Sequence, residues 1–332
     1  RIQEHSHRVA NILLIAIGLY LLAWAAGLLP HPYSEHEVEK AAHAIEVFVP
    51  PLWSVLPFVG LLLVIAIFPL IGSLAHWWHS NLNRFLIALG LSFVTLAYYA
   101  WLHPGGVEDH FLEGPRSTAG WDTAQQVFSN ALFGEYIPFI VLLFSLYVIS
   151  GGINVRGDLP AHPLVNSAFL LLGALAASFI GTTGAAMVFI RPLLVTNSQR
   201  KHKVHTVLFF IFMVCNCGGL LLPIGDPPLF LGYLRGVPFT WTLRLWPFWV
   251  GVNLTLLVIY YVWDRIAYSK EPVEQILLDE IRIRPMHFTG KINLLLILGV
   301  VLSVALLVSG KPFLGTSFVP PLFFRETVML LM

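Results

Sequence analysis

The residues best suited to chemistry fall in two short stretches. From Asn216 to Pro228 the chain reads Asn-Cys-Gly-Gly-Leu-Leu-Leu-Pro-Ile-Gly-Asp-Pro-Pro, with Gly218, Gly219, Gly225, Pro223, Pro227 and Pro228 among thirteen residues. Each proline removes a backbone donor and clashes with the preceding turn, so no regular helix continues through this run. It lies midway along the apolar segment 206–233. A helix broken at membrane depth presents unpaired carbonyls and half-helix ends, which can coordinate ions and anionic groups. Asp226 is the titratable group in the break, and a carboxylate costly to desolvate is a candidate functional group. It also has a structural reading, as the cap of a second half-helix with Pro227 at its first position. Asn216 is likewise either a ligand or an amide that satisfies a neighbouring helix.

The second stretch is Gly181-Thr182-Thr183-Gly184, which interrupts the apolar run 163–194. Its two arms have about 16 residues each, short of the ~20 a crossing needs. A re-entrant helical hairpin with its tip at Thr182 and Thr183 is therefore expected, a form tolerated only where protein or a water-filled cavity surrounds the tip. Arg191, about 12 Å past Thr183 along a helix, would pair with Asp226 or a bound anion, or snorkel to the interface. Hydroxyls of Thr182 and Thr183, the Asn216 amide and carbonyls near Gly218 and Gly219 make a hard, oxygen-rich set. That set suits a small cation such as sodium, with Asp226 exchanging a proton. Half-helix donors at the same places would equally grip a carboxylate.

The elements that position these groups are membrane spans. Hydrophobic residues make up 57% of the chain and charged ones 11%, against roughly a quarter charged in soluble domains. Apolar segments long enough to cross fall near 10–29, 52–75, 85–102, 136–153, 206–233, 243–263 and 292–309, and another begins near 321. Lys and Arg concentrate on one side, including Arg1, Arg8, Arg84, Arg156, Arg200, Lys201, Lys203, Arg265 and Arg284, which places the N-terminus in the cytoplasm. The opposite loops carry Glu35, Glu37, Glu39, Glu108, Asp109 and Glu113. The polar stretch 265–290 reads as a cytoplasmic surface helix between two membrane halves. Trp53, Trp77, Trp78, Trp101, Trp241 and Trp246 fall at span ends as an aromatic belt.

Other classes are weaker. No basic stripe suits nucleic acid, and Cys215 and Cys217 are too close for an ordinary disulfide. Of thirteen histidines, the sets His31, His36 and His43, then His76 and His79, then His202 and His205, have metal-compatible spacing but sit in loops or at span ends. A membrane metalloenzyme is thus a distant alternative.

Gly181 to Met187 with Arg191-Pro192, followed by Asn216 to Pro228 and Leu229-Phe230-Leu231-Gly232, resembles the ion transporter superfamily, specifically NhaD-type sodium/proton antiporters and citrate transporters, with arsenite-efflux pumps as relatives. The resemblance is concentrated in 150–240. It implies an all-α inverted-repeat fold, one hairpin and one broken helix per repeat, in a homodimer of the cell inner membrane with sodium and proton as coupling ions and no other cofactor. Residues 1–264 would be the first repeat, with the hairpin at 163–194 and the broken helix at 206–233. Residues 265–290 would be the linker, and 291–332 the truncated start of the second repeat. The ion or substrate site would comprise Thr182, Thr183, Gly184, Asn216, Gly218, Gly219, Gly225 and Asp226. Relatives often carry Asn or Asp at the hairpin tip where this chain has Thr182 and Thr183. Sodium/proton antiport leads, and citrate or organic-anion transport is the alternative.

Overall fold

The computed structural model describes residues 14–23, 26, 48–111, 116–281, 283–309 and 312–332. Both ends of the first expected span, the histidines His31, His36 and His43, and the acidic residues Glu35, Glu37, Glu39 and Glu113 lie outside these. The chain forms two compact units, Pro30–Tyr136 and Arg1–Leu29 with Ile137–Met332. In chain order the helices begin with α1 (Leu14–Ala23), α2 (Leu56–Ile67), α3 (Gly72–Trp78), α4 (Asn81–Trp101) and α5 (Trp121–Gly151). Among the described residues six stretches are long and apolar enough to cross a membrane: Leu52–Leu70, Asn81–Trp101, Trp121–Gly151, Pro163–Thr196, Val204–Leu221 and Phe239–Tyr268.

Within the smaller unit, α2 buries none of its residues, so its apolar surface suits hydrocarbon rather than water. The joint between α3 and α4 is held by Arg84 Nε donating to the Trp78 carbonyl at 2.7 Å and Asn83 Nδ2 donating to that of Trp77 at 2.7 Å.

The larger unit continues with β1 (Asn154–Asp158), the 34-residue α6 (Pro163–Thr196), α7 (Val204–Met213), the tight turns Cys217–Leu221 and Pro223–Gly225, and α8 (Pro227–Leu234). It ends with α9 (Trp246–Tyr268), α10 (Val273–Ile281), β2 (Arg284–Thr289), α11 (Lys291–Leu306) and α12 (Phe324–Leu331).

Helix α6 is two arms rather than one rod. Gly181 has φ 73° and ψ 155°, outside the helical region. Asn166 Nδ2 donates to Asn197 Oδ1 at 2.9 Å, and Asn197 Nδ2 returns a bond to Asn166 Oδ1 at 2.7 Å, although 31 residues separate the two. A straight helix would put them about 46 Å apart. The chain therefore doubles back at Gly181, one residue before the expected tip, and the base of the hairpin is closed by the amide pair.

The expected surface helix at 265–290 is corrected. Helix α9 runs on to Tyr268, α10 occupies only Val273–Ile281, and Arg284–Thr289 is a strand paired antiparallel with β1, Asn154 opposite Thr289 and Arg156 opposite His287. Every β2 residue is exposed, so neither strand carries the apolar alternation by which a half-buried strand is recognised.

The backbone at Gly181 lies where side chains other than hydrogen are strained. Gly181→Ala should lower stability by ~1–3 kcal/mol, read as an earlier thermal unfolding transition of the solubilised protein. Gly232→Ala, inside α8 with nothing closer than 3.9 Å to the added carbon, should leave the transition unchanged or raise it slightly.

Candidate functional site

The turn of the hairpin and the break between α7 and α8 meet. A Cβ on Gly181 would stand 3.6 Å from the Ile224 carbonyl oxygen, and one on Gly219 would stand 3.0 Å from Thr182 Cγ2. Gly219 and Gly225 approach each other even more closely, since a Cβ on Gly225 would fall 2.2 Å from the Gly219 oxygen. Gly219 and Gly225 are required because their backbones touch, a close approach that no larger residue permits, whereas Gly181 is required by its positive φ. Gly218 does the same against the first arm, 2.8 Å from Ala174 Cα.

Together the turn and the break wall a cleft of about 360 Å³, lined by Ile180 to Gly184, Ile224 to Pro227, Phe230 and the Phe139–Tyr147 face of α5. Of the residues expected to form the site, Thr182, Thr183, Gly184, Gly225, Asp226 and Pro227 line it. Gly218, Gly219 and Pro223 are buried and do not line it. Two expectations fail geometrically. Asn216 is exposed and does not line the cleft, and Arg191 lines a different cleft beside β1 and β2 rather than facing Asp226. The helical rise explains the second result, because it carries Arg191 about 15 Å along the second arm from Gly181.

The carbonyl of Gly218 is also withdrawn from the ligand set. It accepts a hydrogen bond from Ser178 Oγ at 2.6 Å and another from Trp249 Nε1 at 2.9 Å, which uses both of its lone pairs.

Asp226 precedes α8 in the capping position, but its side chain makes no capping hydrogen bond. The prolines explain why. A capping carboxylate accepts from the second or third helical N–H, and Pro228 has none, while Leu229 N donates to the Asp226 backbone oxygen at 3.1 Å. Among the described residues the carboxylate has neither an ion pair nor a hydrogen bond, and no basic side chain lines its cleft. The reading of Asp226 as a side-chain cap does not hold.

At the base of the hairpin lies a polar cluster that the sequence reading missed. Asp264, fully buried, accepts from His205 Nε2 at 2.7 Å and from Asn166 Nδ2 at 3.3 Å. Arg200 Nη2 sits 2.7 Å from the same Asp264 oxygen as an ion pair without hydrogen-bond alignment, and Nε stands 3.6 Å from Glu271. Glu271 in turn accepts the backbone N–H groups of Lys201 and His202 at 3.0 and 2.8 Å. Asp279 of α10 accepts the Ala161 N–H at 2.7 Å, and burial pushes its carboxyl above the ordinary range, opposed by that hydrogen bond. His205, read as half of a metal-compatible pair, is thus engaged by a carboxylate. Among the described residues no group of three or more His, Cys, Asp or Glu side chains is placed to hold a metal ion. The available signal was Asp264 itself, an acid directly abutting the apolar run 243–263.

Apolar helices of crossing length and two interrupted helices meeting at one cleft define a multi-pass membrane transport protein. Residues 48–332 match the model of the family described as "Putative citrate transport", and the chain belongs to that family. No curated protein and no solved structure matches it. The resemblance to the ion transporter superfamily therefore stands on its citrate-transporter side.

The two carboxylates should respond oppositely to removal. Asp264→Ala strands the buried Arg200 charge and should cost about 3–5 kcal/mol, whereas Asp226→Asn removes no bond and should stay within ~0.5 kcal/mol of the parent. Thermal unfolding of both variants in one detergent checks the contrast.

Proposed function

We propose that this chain belongs to a cation-coupled carrier of a citrate-class organic anion, bound in the cleft between the hairpin turn and the helix break. The observation that carries this reading is a division of labour across the cleft. The second arm begins at Thr182, so its first N–H groups have no intrahelical partner and lie at the positive end of a helix dipole. With the Thr182 and Thr183 hydroxyls they form a donor-rich wall suited to a carboxylate. The opposite wall is poor in donors, because Pro227 and Pro228 lack N–H groups, and it bears the unpartnered Asp226 carboxylate. That wall suits sodium or a proton, with Thr182 and Thr183 within reach of both ligands. The family description points to citrate in the same direction.

Sodium/proton antiport is the second reading, and the free carboxylate of Asp226 favours it. On either reading the hairpin is re-entrant with its turn near the bilayer centre. Residues 1–264 form the first membrane repeat, 265–290 its cytoplasmic connector and 291–332 the opening of a second, in a homodimer of the cell inner membrane.

In proteoliposomes the full-length protein should take up citrate when a sodium or proton gradient is imposed. Asp226→Asn should weaken the apparent cation affinity about 10- to 100-fold, the worth of one charged interaction. Sodium-driven proton movement that ignores citrate would replace this reading with antiport.

Membrane placement has its own check. In a background lacking Cys215 and Cys217, Arg156→Cys and Lys201→Cys should react with an impermeant thiol reagent from the same face. Labelling from opposite faces would remove the re-entrant hairpin.

A further inference from the structure

A second cleft, of about 330 Å³, lies where the two-stranded sheet meets the second arm of the hairpin. Its charged lining is one-sided: Arg156 from β1, Arg191 from α6 and Arg284 from β2, against the single carboxylate of Asp158. Sequence separation hides this grouping, which depends on the pairing of β1 with β2. The register sets Asp158 opposite Arg284 and Arg156 opposite His287. Among the described residues, none of the three guanidinium groups has an ion pair or a side-chain hydrogen bond. Arg200 and Arg325, by contrast, are paired with Asp264 and Glu326. Asp158, opposite Arg284, offsets one of these charges, and the remaining excess of like charge around one concavity favours a bound anion.

The rest of the lining is apolar, from Val155, Pro192, Val195 and Pro285. Depth adds a further constraint, which rests on the reading of the hairpin turn as lying near the bilayer centre. Arg191 is then about 15 Å from the centre along the arm, half of the ~30 Å hydrocarbon thickness. That is the edge of the hydrocarbon, from which a long arginine side chain reaches the lipid phosphates. A basic pocket beside apolar walls at this level is suited to an anionic headgroup, and a planar guanidinium grips a phosphate in two-point fashion.

We propose that Arg156, Arg191 and Arg284 form a binding site for a phosphate-bearing anion, built by docking the sheet onto the hairpin and separate from the transport cleft. The chemistry is shared by an anionic phospholipid headgroup and by free phosphate. The depth of Arg191 favours the lipid.

The test measures binding, not transport, so its result is independent of whether citrate or sodium is carried. Purified full-length protein in detergent is titrated with phosphatidylglycerol, with phosphatidylcholine and with inorganic phosphate, and bound molecules are counted by native mass spectrometry. Arg191→Gln, an exposed position, should weaken phosphatidylglycerol binding about fivefold, and the Arg156→Gln, Arg191→Gln, Arg284→Gln triple variant roughly 100-fold. Phosphatidylcholine binding should not change, and Arg265→Gln, outside the cleft, should match the parent. Arginine-dependent binding of inorganic phosphate alone, equal in strength to that of the lipid, would keep the site and assign it a soluble ligand. Unchanged binding of both anions in Arg191→Gln and in the triple variant would overturn the proposal. If the triple variant does not fold, Arg191→Gln alone decides.

Discussion

A peptide carbonyl inside an apolar bundle must find a donor, and everything at the centre of this molecule depends on how the carbonyl of Gly218 finds two. Interrupting a helix frees several backbone groups at once, each costing several kcal/mol if left bare in hydrocarbon. Ser178 reaches across from the first arm of the hairpin, and Trp249 reaches in from α9. One oxygen thereby ties three elements together and lets the chain stay unwound from Val214 to Asp226. The absence of side chains at Gly218, Gly219 and Gly225 completes the arrangement, because the break nests against Ala174 and against itself at distances a methyl group would not allow.

Local chemistry explains which parts were legible in the sequence. Glycine and proline act on their own backbone, so the hairpin turn near Gly181 and the interruption before Pro227 could be read from a single stretch. The apolar lengths of the spans were equally local. What escaped depends on partners far along the chain. Asp264 meets Arg200 and His205 only after α6, α7 and α9 have packed, and each residue taken alone looks like an ordinary charge at a span end. The sheet was hidden for the same reason, since β1 and β2 are short and without apolar alternation, and only their pairing makes them strands. The misplacement of Arg191 and Asn216 had a different cause. For each of them the sequence left two readings open, and the structure removes the one that placed it in the cleft: helical rise carries Arg191 away from the cleft, and Asn216 lies in an exposed turn.

The cluster around Asp264 also shows why buried charge and function need not coincide. Its carboxylate is fully enclosed and receives a histidine, an arginine and an amide. Such a site is saturated, and it fixes which helices stand beside one another. Asp226 is the converse, a carboxylate that its prolines have deprived of local donors and that faces open space. The same side chain thus serves as a fastener in one place and as an unfilled valence in the other, and the difference lies in the count of available N–H groups.

The reciprocal amide pair of Asn166 and Asn197 has a mechanical consequence. It clamps the two arms at their roots, and Ser178 further pins the first arm close to the turn. Asn197 Nδ2 also donates to the Leu193 carbonyl within the second arm at 2.9 Å, but among the described residues no side-chain hydrogen bond ties that arm to another element between Thr182 and Val195. That arm is held at its ends, by the amide pair at Asn197 and by its covalent join to the first arm at Gly181, and between them by packing. The two arms and the buried charge beneath them are thus joined through one side chain, because the Asn166 amide that bonds Asn197 also donates to Asp264.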